Sequence, residues 1–314
     1  MTKTICITGA AGNLGSLTAQ HLFENSDSKL NLMIHRHPFG NAMKDDARVN
    51  VFKCDLNIKE TLGKCLEGVD EVIHYAGILF AAKPEKFLPT TNTKYFQNLV
   101  DVAKSKAVKR ITLISFPHVE GPTNTQFPST DKINRVPVSI HAATRMEEER
   151  YLISNFENYV ILRVGMVYGR GILMPDAARW FAKRYLLGVW KEQTLIHLIS
   201  KEDYLNSVLG LIVNESASGT YNIGDDGIQT LQEYLDFACK RWGCKKPWRM
   251  PLWLIYLAAW KFELISRLFR IKSPLTNDFI DIGRVSYYGD TTRMRAELLS
   301  TLKYPTMIDG ESTF

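Results

Sequence analysis

Apolar and polar positions along the chain switch period in a regular way. Thr4–Thr8, Leu30–Ile34, Val49–Cys54, Glu71–Gly77 (ending in a small-residue turn), Arg110–Ser115 and Tyr159–Arg163 are short runs rich in aliphatic and β-branched residues, and each reads as a buried strand. Helical spacing fills the gaps. Leu14, Leu17, Thr18 and Leu22 follow the first run, and Lys59 to Leu66 supplies a crossover after the third. Tyr95, Phe96, Leu99, Val100 and Ala103 mark a long helix from Asn92 to Lys106, and Pro137-Val138-Ser139 precedes a further helix running to about Ser154. This alternation predicts an α/β fold, a doubly wound parallel sheet with helices on both faces. Past Arg163 the pattern loosens at Gly165, Gly169, Gly171 and Pro175. We therefore expect a first domain over 1–165 that recaptures part of 194–224, and a smaller, mainly C-terminal substrate domain over 166–314.

The first strand ends in Gly9-Ala10-Ala11-Gly12-Asn13-Leu14-Gly15 and opens directly into a helix. Glycines at this spacing allow an unusual turn and let an anion approach the backbone. The free N–H groups and positive end of the helix then meet a phosphate. Gly9, Ala11, Gly12, Asn13, Leu14 and Gly15 are thus candidate contacts to a dinucleotide in a Rossmann-type domain. At the end of the second strand stand His35-Arg36-His37, with no carboxylate. A carboxylate suits a free ribose 2′-hydroxyl and an arginine suits a 2′-phosphate, so NADP(H) is expected, with Arg36 as the contact. NAD remains the alternative, with Arg36 an exposed loop residue. Ser115, Phe116 and His118 fall at the carboxyl end of the fifth strand, where ligands of such sheets lie.

Charge and composition narrow the partners. The 314-residue chain is 45% hydrophobic and 23% charged, and its +6 formal charge comes from scattered lysines and arginines. A small-molecule substrate is expected, and no nucleic acid. No apolar leader precedes the first strand, and Cys6, Cys54, Cys65, Cys239 and Cys244 lack paired or zinc-type spacing. Reduced cysteines, no metal site and a cytoplasmic location follow as expectations. Leu195 to Ser200 reads as a return strand, with Asp203 capping the next helix, and Thr230 to Arg241 as an amphipathic helix. Pro251 to Ile271 opens on a continuously apolar stretch, Leu252 to Trp260, far short of the ~20 residues a membrane span needs. It reads as a buried helix pair, or else as an apolar lid that favours a hydrophobic substrate or makes peripheral contact with a membrane.

Taken together, these motifs resemble the extended short-chain dehydrogenase/reductase family of epimerases, dehydratases and 3β-hydroxysteroid dehydrogenases. The resemblance rests on Thr8 to Gly15, Cys54-Asp55-Leu56, Val72-Ile73-His74-Tyr75-Ala76-Gly77, Asn92 with Asn98-Leu99, Leu162 to Gly169, the Asp203 segment and Thr220-Tyr221-Asn222-Ile223-Gly224. It implies that Asp55 contacts the adenine amine and Leu56 lines its pocket. It further implies that Tyr75, Ala76 and Gly77 pass by the cofactor ribose, and that Asn92 sits near the active site. A homodimer through the helices beginning near Asn92 and His141 is implied as well.

One departure from the family pattern is informative. Members use Tyr-x-x-x-Lys on the helix after the fifth strand, with a Ser or Thr at that strand's end. Four residues apart, the two side chains share one helix face. Here His141 occupies the tyrosine position, Arg145 the lysine position, and Phe116 the hydroxyl position with Ser115 beside it. Arginine does not titrate, and a cation one turn away favours a neutral His141. Three readings stand open. In the first, preferred because the glycine turn and basic rim are intact, an NAD(P)(H)-dependent oxidoreductase acts on a small hydrophobic alcohol, ketone or enone. Its catalytic residues are His141, Arg145 and Ser115, with Tyr75, His118 or Tyr168 as other proton carriers. In the second, His141 is the base of a non-redox elimination, isomerisation or cyclisation. In the third, the chain senses NADP(H) and catalyses nothing. A histidine that merely packs is the plain alternative for His141.

Overall fold

The computed structural model describes residues 2–78, 84–133, 137–269, 273 and 275–314. Five parallel strands and their crossovers come first: β1 (Thr4–Thr8), α1 (Asn13–Asn25), β2 (Lys29–Ile34), β3 (Val49–Lys53), α2 (Lys59–Leu62), β4 (Glu71–His74), α3 (Tyr95–Ser105) and β5 (Arg110–Ser115). There follow α4 (Ile140–Asn155), β6 (Tyr159–Val164), β7 (Met166–Tyr168), α5 (Leu173–Ala182), β8 (Gly188–Trp190), β9 (Leu195–Ile196), β10 (Leu198–Ser200) and α6 (Lys201–Val213). The chain closes with β11 (Gly219–Ile223), β12 (Gln229–Thr230), α7 (Leu231–Arg241), β13 (Trp248–Met250), α8 (Leu252–Phe269), α9 (Asn277–Gly283) and α10 (Thr292–Glu297).

The main sheet has seven strands in the order β11-β6-β5-β4-β1-β2-β3, all parallel. This is the doubly wound Rossmann-type arrangement the alternation predicts. The order reverses between β1 and β4, and a crevice opens there beyond the strand ends. Both faces are covered, so the strands are near-continuously apolar. Ile5 and Ile7 of β1 pack with α1 and α6 through Leu22, Tyr204 and Val208, while Cys6 packs on the other face with Leu99 and Val100 of α3. Gly219–Ile223 returns to the sheet edge beside β6.

Several elements differ from the sequence reading, each for a local reason. The helical part of the third crossover is the single turn Lys59–Leu62. The helix expected from Asn92 begins with a π-turn over Pro89–Lys94 before its regular part at Tyr95. Such π-turns concentrate at functional sites. The return strand splits at His197, whose ring accepts from Gly289 N at 3.1 Å and bonds Asp225 O at 2.7 Å. Asp203 does not cap α6. Ser200 does, accepting from Asp203 N at 3.0 Å, and the Asp203 carboxylate receives the amides of Lys303 (2.7 Å) and Tyr304 (3.0 Å). Thr230 caps α7 in a full capping box with Glu233. Pro251 to Ile271 forms one helix, not a pair, as far as Phe269; Arg270 and Ile271 lie outside the described residues.

Candidate active site

The glycine turn lies at the β1–β4 reversal. Gly9 has φ +64°, and a Cβ there would stand 2.9 Å from Ala76 N, so the turn presses against the chain leaving β4. At Gly15 a Cβ would meet Gly9 O at 2.4 Å. The turn is closed by Gly12 N donating to Gly9 O (2.8 Å), and α1 carries no acidic residue in its first turn to oppose an anion. This cradle fits a dinucleotide pyrophosphate; the sequence reading names Gly9, Ala11, Gly12, Asn13, Leu14 and Gly15 as its contacts. Asn13 also bridges to the chain before α5: its Nδ2 donates to Gly171 O (2.7 Å), and its Oδ1 accepts from Leu173 N (2.9 Å). Gly15→Ala should push the turn apart and remove at least two charge-assisted bonds of about 1.5–3 kcal/mol each, so the reduced nicotinamide dinucleotide should bind about 100-fold or more weakly by fluorescence titration.

Around the cradle, His35, Arg36 and His37 form an exposed rim at the end of β2. Asp55 lies 3.7 Å from His35 Nε2 and accepts from Asn57 N at 2.9 Å, while Leu56 is half-buried and its carbonyl accepts from Asn98 (2.9 Å). Tyr75 reaches elsewhere. Its hydroxyl bonds Thr18 and Tyr204, both at 2.6 Å, tying β4 to α1 and α6, so its backbone is what borders the crevice. Thr8 Oγ1 accepts the amides of Tyr75 and Ala76, each at 3.2 Å. Its own proton therefore goes to His74 Nδ1 at 2.8 Å, which fixes a neutral imidazole. Burial, then the Arg145 charge, hold that histidine well below its usual pKa.

Helix α4 presents a stripe at i, i+4 and i+7: His141, Arg145 and Glu148, all buried. Ser139 caps the helix by accepting from Ala142 N at 3.0 Å. Arg145 reaches Gly77, where a Cβ would lie 3.1 Å from Nη2 and 3.9 Å from Asn92 Oδ1. Asn92 is itself held by Ile78 N at 3.1 Å. Arg145 Nη1 donates to Glu148 at 2.5 Å, and burial pushes the Glu148 carboxyl up to about 7 against that pull. His141 meets the Phe116 ring edge-on at 5.1 Å, and Phe116 in turn lies 4.6 Å from His118. Burial, then Arg145, then His118, push His141 down to about 3; burial takes His118 to about 4. Both imidazoles are neutral at physiological pH. Among the described residues, His118 Nδ1, His141 Nδ1, Arg145 Nε and Glu148 Oε1 are buried without a hydrogen-bond partner. Native interiors seldom leave polar atoms so, and four of them gather in this one neighbourhood.

Ser115, expected as a catalytic hydroxyl, is engaged elsewhere: it donates to Glu149, which also receives Arg163 at 2.8 Å and 3.2 Å. Arg163 further donates to Glu120 at 2.9 Å, and Ser129 donates to the same carboxylate. The whole cluster is buried and fully partnered, which fits a strut beneath the site better than a proton relay. Tyr168, another suggested proton carrier, donates to Thr306 O at 3.2 Å and stacks on Phe314. Of the three alternative carriers, only His118 joins His141. Sequence reading missed Glu148, hidden in the run Glu147-Glu148-Glu149, although its i+3 spacing from Arg145 was available. It also missed Asp278 of α9, whose carboxyl accepts the Ile140 and His141 amides at the start of α4 and is pushed up to about 6, chiefly by burial.

Residues 9–171, more than half of the chain, match the family model described as NAD(P)H-binding. The chain belongs to that family, with the extended short-chain dehydrogenase/reductase fold. A uronate dehydrogenase of Pseudomonas syringae pv. tomato is 27% identical over 176 residues, 56% of this chain and 62% of that protein. The match thus spans less than two thirds of the relative. The UDP-glucuronic acid 4-epimerase of Bacillus cereus, solved with UDP-glucuronic acid and NAD, superimposes with TM-score 0.76 at 18% identity, covering 99% of this chain and 97% of that one. The UDP-glucose 4-epimerase of Thermotoga maritima, solved with UDP-glucose, gives 0.75 at 16%, covering 99% and 96%. These two establish likeness of fold.

Proposed function

We propose that the chain is an NADP(H)-dependent oxidoreductase that reduces the carbonyl of a small, largely apolar substrate, or oxidises the matching alcohol. The observation that carries this reading is the group of unpartnered polar atoms on His141, His118, Arg145 and Glu148 beside Gly77. Bound NADP(H) supplies or accepts the hydride. Gly9, Gly12 and Gly15 would hold its pyrophosphate, Arg36 its 2′-phosphate, and Arg145 with Asn92 the nicotinamide ribose. The absence of a carboxylate at the end of β2 supports the phosphorylated cofactor.

Neutral His141 would act as the electrophile: its N–H proton passes to the substrate oxygen as hydride reaches the carbon and is replaced from water, and in the oxidation the same proton returns along that path. An imidazole with its pKa depressed near a helix N-terminus donates a hydrogen bond to a substrate oxygen and needs no imidazolium to do so. Negative charge developing on that oxygen is met by the Arg145 cation one turn away, in a dry site where such charge counts for more. Phe116, in place of the usual hydroxyl, meets His141 edge-on and packs on His118, which lies 5.7 Å from Tyr287. Aromatic surroundings of this kind support an apolar substrate over a sugar nucleotide.

The test is a single turnover of enzyme-bound NADPH against ketones, aldehydes and enones, with UDP-glucuronic acid in the same panel. Loss of reduced-nicotinamide absorbance with an apolar carbonyl is the expected result. The missing tyrosine favours a second reading, non-redox catalysis or NADP(H) sensing, and NADPH that binds but is never consumed would establish it instead. Turnover of the sugar nucleotide alone would overturn the substrate class.

A further inference from the structure

Helix α8 and the turns beside it expose an apolar surface that oxidoreduction does not use. Only Ile255, Ala259 and Glu263 of this helix are buried. Trp253, Leu257, Trp260, Leu264 and Leu268 are all exposed, Trp253 at 66% and Leu268 at 71%. Their spacing of four, three, four and four residues places them in one stripe along the helix. The surface continues past the helix. Trp248 on β13 is 65% exposed and its indole donates to Tyr185 O at 2.9 Å, so the turn after α5, with exposed Tyr185 and Leu186, lies against it. Strand β13 pairs with β8, and Lys245 sits 5.2 Å over the Tyr185 ring.

Tyr185 has φ +59°, a conformation that strains a non-glycine residue. It closes α5, donating to Ala182 O at 3.0 Å where a glycine would be the relaxed choice. At this position the Tyr185 ring is 60% exposed.

Charge decides what covers this face. Residues 179–191 and 240–269 contain eleven lysines and arginines against one acidic residue, Glu263, although the whole chain carries only +6. Asp236 pairs with Lys246 and Arg249, and Glu311 with Arg241, offsetting two more and leaving a local surplus of eight. Two copies meeting through this face would bring these surpluses together, which opposes self-association. We propose that the surface docks the protein on an anionic phospholipid bilayer, with α8 lying in the headgroup plane. Tryptophan and tyrosine favour that interface, and lysines and arginines near an anionic leaflet contribute about 1 kcal/mol each. The helix does not cross. It carries Lys261, Glu263 and Arg267, and no helix of the described residues is long and apolar enough to span.

The experiment uses the full chain with phosphatidylcholine vesicles, with and without phosphatidylglycerol, read by co-sedimentation and tryptophan emission. Binding to the anionic vesicles should be at least about 10-fold tighter, weaken as salt rises, and shift tryptophan emission to the blue. Lys183→Glu with Lys245→Glu, both exposed, should weaken it about 30-fold or more. Trp253→Glu with Leu268→Glu should abolish the emission shift. Circular dichroism and NADPH binding, which none of these side chains touches, serve as controls for folding. Equal binding to neutral vesicles, or none to either, overturns the proposal. So does concentration-dependent dimerisation that Leu268→Glu removes without any vesicle binding, since that assigns the face to a second copy.

Discussion

Arg163→Met should destabilise the protein by about 3–5 kcal/mol, lowering the melting temperature on the order of 10 °C, the largest stability loss we expect of any single polar replacement. Arg163 is fully buried at the end of β6 and is the cation shared by Glu149 and Glu120, themselves buried. Breaking one partner out of a buried ion cluster costs more than the cluster contributes, because the remaining charges stay dehydrated. Glu149 would keep Ser115, and Glu120 would keep Ser129 and Thr130 N at 3.0 Å, but neither keeps a positive partner. The difference between wild type and variant is read by urea unfolding at neutral pH. A loss under about 1 kcal/mol would show that the cluster is not the strut its burial implies.

His141→Phe should lower kcat by about 10²–10⁴-fold while leaving NADPH affinity almost unchanged. The change removes the only side chain in the tyrosine position but leaves the glycine turn, Arg36 and Arg145 in place. Since His141 sits at about 3, wild-type kcat should show no imidazole limb between pH 5 and 8. Two carboxyls beside α4 titrate in that window instead: Asp278, pushed up to about 6, and Glu148, pushed up to about 7. Below about 7 Glu148 is protonated and no longer balances Arg145, so affinity for the anionic cofactor should rise as pH falls through 7. Glu148→Gln should fix the low-pH affinity at every pH. Catalysis that survives the loss of His141 would take the imidazole out of the mechanism.

The parts of this structure legible in the sequence are those set by periodicity and backbone chemistry. Arg110–Ser115 matches its expected bounds because a strand buried on both faces is an apolar run that ends where polarity returns, while the run expected over Glu71–Gly77 stops being a strand at His74. The glycine turn was legible because its conformations exclude side chains, and helical spacing alone put His141 and Arg145 on one face. What hydrophobic pattern cannot carry is the identity of a distant polar partner. Ser115 looked free for catalysis, but its acceptor, Glu149, lies 34 positions away on α4. Tyr75 looked like a cofactor contact until its hydroxyl met Tyr204, 129 positions away. Asp203 read as a cap because it begins a helix, whereas its carboxylate is spent on amides a hundred residues later. For α8, apolar composition suggested burial, yet composition does not say whether protein or something outside it covers the surface.

The carboxyl of Asp278 ties the first turn of α9 to the first turn of α4, at the amide of His141 itself. The neighbouring Asn277 gives its amide to Glu263 of α8 at 2.9 Å. Two adjacent residues thus join a helix half of whose side chains are buried to one that is mostly exposed, and a substitution at either of them would be felt by both.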